Sequence, residues 1–169
     1  MNPCHETQRE AGPQAAASPP RHWRNLEPET VYTELLHPAD LFFEIHGRSF
    51  SELCEHALYA LFHNIAELDS VMPRSTQTLQ ASASAPAEAL RRLVAEALVL
   101  FDAEHFLAAG CQVDVSNTAP LTLTAVLWGE MFDPRRHELL SEIKAVTRHQ
   151  LAADQEKTGR WRATILLDV

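Results

Sequence analysis

The run Arg160-Trp161-Arg162-Ala163-Thr164-Ile165-Leu166-Leu167-Asp168-Val169 decides how this chain is read. Side chains alternate across an extended strand, so Trp161, Ala163, Ile165, Leu167 and Val169 share one face and Asp168 falls on the other. A strand of this composition must lie on a core, and here it ends in an aspartate followed by a terminal carboxylate. Two oxygen-donor groups at one edge of a fold suit a hard divalent cation.

Working outward, the remaining strands and helices follow from periodicity. Val31–Leu35 and Leu41–His46 read as two strands joined by the turn His37-Pro38-Ala39-Asp40, which sets Asp40 at a strand entrance. Ser49 and Glu52 form a capping box for a helix whose apolar stripe is Phe50, Leu53, Cys54, Ala57, Leu58, Leu61, Ile65 and Leu68. A second helix opens near Pro86 with Leu90, Leu93, Val94, Ala97, Leu98 and Phe101 as its stripe. Ser75–Ser84 reads as a marginal strand, and further strands are expected over Cys111–Val115, Leu121–Trp128, Ala145–Ala152 and Arg160–Val169. The pattern predicts an α+β class: one domain, a sandwich of two long helices on mixed or antiparallel β-sheet.

The chain has 169 residues, 46% of them hydrophobic, enough for one sizeable core. Residues 1–28 hold five of the ten prolines and balance Arg9, Arg21 and Arg24 against Glu6, Glu10 and Glu27. Such a segment cannot bury enough apolar surface to offset its ordering entropy, so a disordered tail is expected over 1–28 and the folded domain over 29–169. The whole formal charge of -9 then belongs to the domain. Phosphate backbones require a surplus of Lys and Arg, so strong direct nucleic-acid binding is not expected; a cation or a basic protein surface fits better. Cys4, Cys54 and Cys111 include no CxxC pair, which argues against a disulfide framework or structural zinc. No apolar leader follows a basic start and no membrane-length apolar run occurs, so no membrane association and a cytoplasmic location are expected.

No short motif fixes a catalytic centre: HExxH, GxSxG and glycine-rich phosphate loops are missing from the sequence. Asp40, Asp102, Glu104, Glu130, Glu138, Asp168 and nine histidines are available. His137, Glu138 and His149 read as exposed polar residues. Asp102 and Glu104 close the second helix, where a carboxylate opposes the helix dipole and suggests a turn or an interface. Lys144 follows an acidic loop and suits a charge partner for neighbouring carboxylates.

His37-Pro38-Ala39-Asp40, Phe43-Glu44-Ile45-His46-Gly47-Arg48-Ser49 with Glu52-Leu53, Leu100–Glu104, Trp128-Gly129-Glu130, His137–His149, Gly159-Arg160-Trp161 and Leu167-Asp168-Val169 together resemble the archease family. The resemblance runs over roughly residues 30 to 169, with ordered motifs at both ends. It departs at Leu36 and Pro38, where the family usually has an acid and a threonine, and at His105, where glycine is common.

The resemblance implies a small accessory protein of an RtcB-type RNA ligase, which joins ends bearing a 2′,3′-cyclic phosphate or 3′-phosphate to a 5′-hydroxyl in tRNA splicing and RNA repair. Such a protein promotes guanylylation of the ligase and multiple turnover and is not itself an enzyme. It also implies a divalent-metal site, Ca²⁺ or Mg²⁺, at Asp40, Asp168 and Val169, with Lys144 matching a lysine implicated in ligase activation. Two other classes stay open on the residues alone: a metal-dependent phosphoester hydrolase, and a generic chaperone-like interaction module.

Overall fold

The computed structural model describes residues 23–169. A short 3-10 turn, Trp23–Asn25, leads into α1 (Pro28–Val31), β1 (Tyr32–Leu35) and β2 (Leu41–Gly47). The long helix α2 (Phe50–Ile65), β3 (Ser75–Ala83) and the second long helix α3 (Pro86–Glu104) follow. β4 (Phe106–Ser116), β5 (Leu121–Met131), β6 (Ala145–Val146), β7 (Ala152–Gln155) and β8 (Trp161–Asp168) complete the chain. All pairings are antiparallel, in two sheets. One has the order β1-β2-β8-β6 with β7 also on β8; the other is β3-β5-β4. The fold is the expected α+β domain with two long helices on antiparallel sheet.

Both long helices touch strands of both sheets. That explains why α2 buries Tyr59, Ala60 and Phe62 besides its expected stripe. A helix apolar on one face covers one sheet; α2 has apolar side chains on more than one. Its N-terminus is capped by Ser49, as expected. Ser49 accepts the Glu52 N–H, and the Glu52 carboxylate accepts from the Arg48 guanidinium and the Arg48 N–H. The Arg48 side chain thereby holds Glu52 well below the ordinary carboxylate range, at about 2, against the opposing effect of burial.

Several boundaries differ from expectation. Val31 closes α1 and is fully buried. Trp23 and Leu26, assigned to the tail, pack on the core, and the Trp23 ring lies 5.7 Å from Tyr59 and 6.0 Å from Phe62. The rest of the expected tail, 1–22, lies outside the described residues. Thr/Ser/Gln-rich β3 is a full strand, paired with β5 from Ser75↔Gly129 to Ala83↔Leu121. Its polar residues alternate with Leu79, Ala81 and Ala83, which turn inward. β4 begins at Phe106 because a register shift between Ala108 and Gly110 accommodates the small-residue run before Cys111. The single strand expected over Ala145–Ala152 is two: β6 and β7 are separated by a turn in which Gln150 takes φ 52.

Candidate functional site

β8 is the middle of its sheet, with β2 along one side and β6 and β7 along the other. The rung Leu41↔Leu167 ends the described β2–β8 register, so Asp40 and Asp168 stand at the next position, across from each other. On β8's other side Ala145 faces Asp168, and the Lys144 N–H donates to the Asp168 carbonyl at 2.8 Å. Asp40, Asp168, Val169 and Lys144 therefore come from three segments to one end of one sheet. Lys144 and Val169 are exposed, and Asp40 and Asp168 are partly so.

Alternation fixes which face the acids occupy. Leu41, Phe43, Ile165 and Leu167 pack on the helices, whereas Phe42 and Leu166 are buried outside the main core cluster. Asp40 and Asp168 share their parity, so they belong to this second face. His37 covers it: its ring lies 6.2 Å from Phe42 and 6.4 Å from the His149 ring. His37 Nδ1 is 3.1 Å from Asp40 Oδ2, but the two are not aligned for a hydrogen bond, and this nitrogen is buried without a hydrogen-bond partner. Among the described residues no three His, Cys, Asp or Glu side chains converge closely enough to hold an ion. A cation here would have to draw on the two aspartates with main-chain oxygens and water. Oxygen donors of that kind suit a hard divalent ion.

His137, expected to be exposed, is buried, because β5 ends in a buried carboxylate that sequence periodicity does not reveal. Glu130 Oε1 and Oε2 take both Arg136 nitrogens, the Met72 N–H and His137 Nε2. Burial pushes the Glu130 carboxyl up, but Arg136, the Met72 amide and His137 outweigh it and hold it at about 2. His137 Nδ1 accepts the Asp133 N–H, so the ring proton sits on Nε2 and is donated to Glu130. Farther along the same loop Glu67 N–H donates to Glu138 O and Leu140 N–H to Ile65 O, pinning the segment that leads to Lys144. Asp102 is exposed, and so is Glu104, which accepts a hydrogen bond from Gln77. Neither joins the cluster at the end of β8. After them His105 takes φ 55, a left-handed cap position that favours glycine.

This all-antiparallel α+β domain with two long helices has a solved structural counterpart and a family of sequence relatives. The archease protein family model matches residues 32–169, and the chain belongs to that family. It is 29% identical to the protein archease of Sulfurisphaera tokodaii, over 79% of this chain and 94% of that one. It is also 29% identical to the protein archease of Methanopyrus kandleri, over 82% of this chain and 99% of that one. The solution structure of Methanobacterium thermoautotrophicum protein 1598 superposes with a TM-score of 0.73 at 25% identity, covering 82% of this chain and 98% of that one. No helix among the described residues is long and apolar enough to cross a membrane.

Proposed function

We propose that this archease activates an RtcB-type RNA ligase of the tRNA-splicing and RNA-repair kind, promoting its guanylylation and repeated turnover without catalysing a reaction itself. Asp40, Asp168 and the Val169 carboxylate hold a divalent cation, Ca²⁺ or Mg²⁺, and Lys144 contacts the ligase or a phosphate group beside it. The observation that carries this reading is the meeting of these four residues at the end of β8, on a chain of formal charge -9. An acidic tip of this kind suits the basic cleft in which a nucleotide-binding ligase holds phosphates. Bound there, the cation neutralises phosphate charge. The residues' own part is to present carboxylates on a rigid strand end and keep Lys144 in register with them.

The test is a GTP-dependent ligation assay with the cognate ligase under excess RNA, with and without this protein. Stimulation by the wild type and its loss in Asp40→Ala and in Asp168→Ala are expected. Equal ligation with and without the wild-type protein overturns the activator role, and phosphoester hydrolysis by the protein alone replaces it with the hydrolase reading.

A further inference from the structure

We infer that the open edge of β3 pairs with β3 of a second copy of this chain, antiparallel about a two-fold axis, with the outer side of α3 meeting its own copy beside it.

The edge is open and unguarded. β3 ends the order β3-β5-β4, and among the described residues no strand lies along its other side. The Ser82 carbonyl turns to that side, where the Arg92 guanidinium donates to it at 2.8 Å. Strand alternation then aims the N–H and C=O groups of Thr76, Thr78 and Gln80 the same way. Edge strands are ordinarily blunted by brevity, charge, proline or a bulge. β1 has four residues, one of them Glu34, and β6 and β7 have two and four. β4 has its register shift and Asp114. β3 has nine residues, neither a charge nor a proline, and an unbroken register with β5.

Charge selects a second copy as the occupant. The Gln77 amide donates to the Glu104 carboxylate at 3.1 Å and Arg92 reaches Ser82, so α3 runs beside β3 in the opposite direction. Gln77 to Ser82 spans about 17 Å of strand and Glu104 to Arg92 about 18 Å of helix, so the two stay level. The edge is therefore flanked by an exposed arginine at one end and an exposed glutamate at the other. Antiparallel pairing centred on Leu79 sets Ser82 across from Thr76 of the second copy, which brings Arg92 to that copy's Glu104, and the two-fold axis repeats the contact. Arg92 bonds Glu88 through Nε and Ser82 through Nη1; among the described residues its Nη2 has no hydrogen-bond partner. Thr78 then faces Gln80 of the second copy, hydroxyl against amide. Val99 lies two turns beyond Arg92 on the same side of α3, level with Leu79, and is 58% exposed. The axis passes there, so the two valines cover each other. A chain of formal charge -9 repels its copies elsewhere, whereas this strand is neutral. Asp40 and Asp168 belong to the other sheet, so the pairing uses none of the acidic tip and does not depend on the ligase reading.

The experiment is sedimentation equilibrium of the full chain over a wide concentration range, with amide hydrogen exchange of β3 alongside, on wild type, Thr78→Pro, Arg92→Glu, Glu104→Arg and the double variant that swaps both charges. The Thr78 N–H is not used by β5, so proline there blocks the edge and leaves the fold, which the thermal midpoint checks. Wild type is expected to show a monomer–dimer equilibrium, with exchange at Thr76, Thr78 and Gln80 slowing as concentration rises. Thr78→Pro and each single charge reversal should weaken the dimer about tenfold or more, and the swap should return it to within about threefold of wild type. If Thr78→Pro fails to fold, the charge reversals and their recovery decide alone. A wild-type chain that stays monomeric, a dimer left intact by a folded Thr78→Pro, or a swap without recovery overturns the inference. Edge amides that are protected only when the cognate ligase is added assign the edge to a foreign strand and overturn it as well.

Discussion

His137 and Glu130 are joined by a 3.1 Å contact between Nε2 and Oε1 in which the imidazole has no solvent exposure. Removing the imidazole leaves the buried Glu130 carboxylate short of a donor, so His137→Ala should cost about 3 kcal/mol, and Glu130→Gln, which takes the carboxylate away from Arg136, Arg74 and His137, should destabilise as well. Denaturant unfolding of the two variants measures it; a change under 1 kcal/mol in both would show the pair to be incidental.

Acid should erase the Glu130 contribution. Its folded-state pKa, about 2, lies below the ordinary 4.5, so the stabilisation is complete above about pH 4.5 and disappears as the pH falls toward 2. The stability gap between wild type and Glu130→Gln should therefore be constant from pH 7 to 5 and shrink below 4.5. A gap that widens on acidification would contradict the sign.

His105→Gly should stabilise the fold by about 0.5–1 kcal/mol, because φ 55 strains a residue with a Cβ and the cap hydrogen bond from His105 N–H to Phe101 O remains. A higher thermal midpoint checks this, and a lower one would mean that the ring's packing near Phe101 outweighs the strain.

Trp23→Ala removes a 4% exposed indole from Tyr59 and Phe62 and should cost about 3–5 kcal/mol. Thermal unfolding of the variant decides whether the folded unit starts at Trp23 or, as composition suggests, at residue 29.

Lys144→Ala should leave the thermal midpoint unchanged, since the structural bond at this position comes from the backbone N–H, while reducing ligase stimulation. A tag fused after Val169 should reduce stimulation by turning that carboxylate into an amide. Ligation assays on both proteins test the pair, and full stimulation in both would separate this end of the sheet from ligase activation.

Sequence reached the frame through periodicity. The alternation of Trp161, Ala163, Ile165 and Leu167 located β8, and the stripes starting at Phe50 and Leu90 located α2 and α3. It failed where burial depends on a distant partner. Leu166, on the opposite face from Ile165 and Leu167, is buried because Phe42 opposes it, and His137 is buried because Glu130 meets it there. The 145–152 segment has strand-forming composition throughout, yet the left-handed Gln150 breaks it, and nothing local announces that turn. Asp40 and Asp168 were each recognisable as acids at strand ends, but their meeting depends on a register spanning nearly the entire domain.

The strand that completes the sheet is made long after the strand it pairs with. β2 is made early but cannot find its neighbour until Trp161 to Asp168 have emerged, more than a hundred residues later. A closure that long makes folding slow relative to local helix formation. A chain cut short before β8 lacks both the sheet's middle and the aspartate opposite Asp40. The two halves of the acidic tip thus come together only when the most distant strands of the sheet pair, so the tip forms with the sheet's centre and not before it.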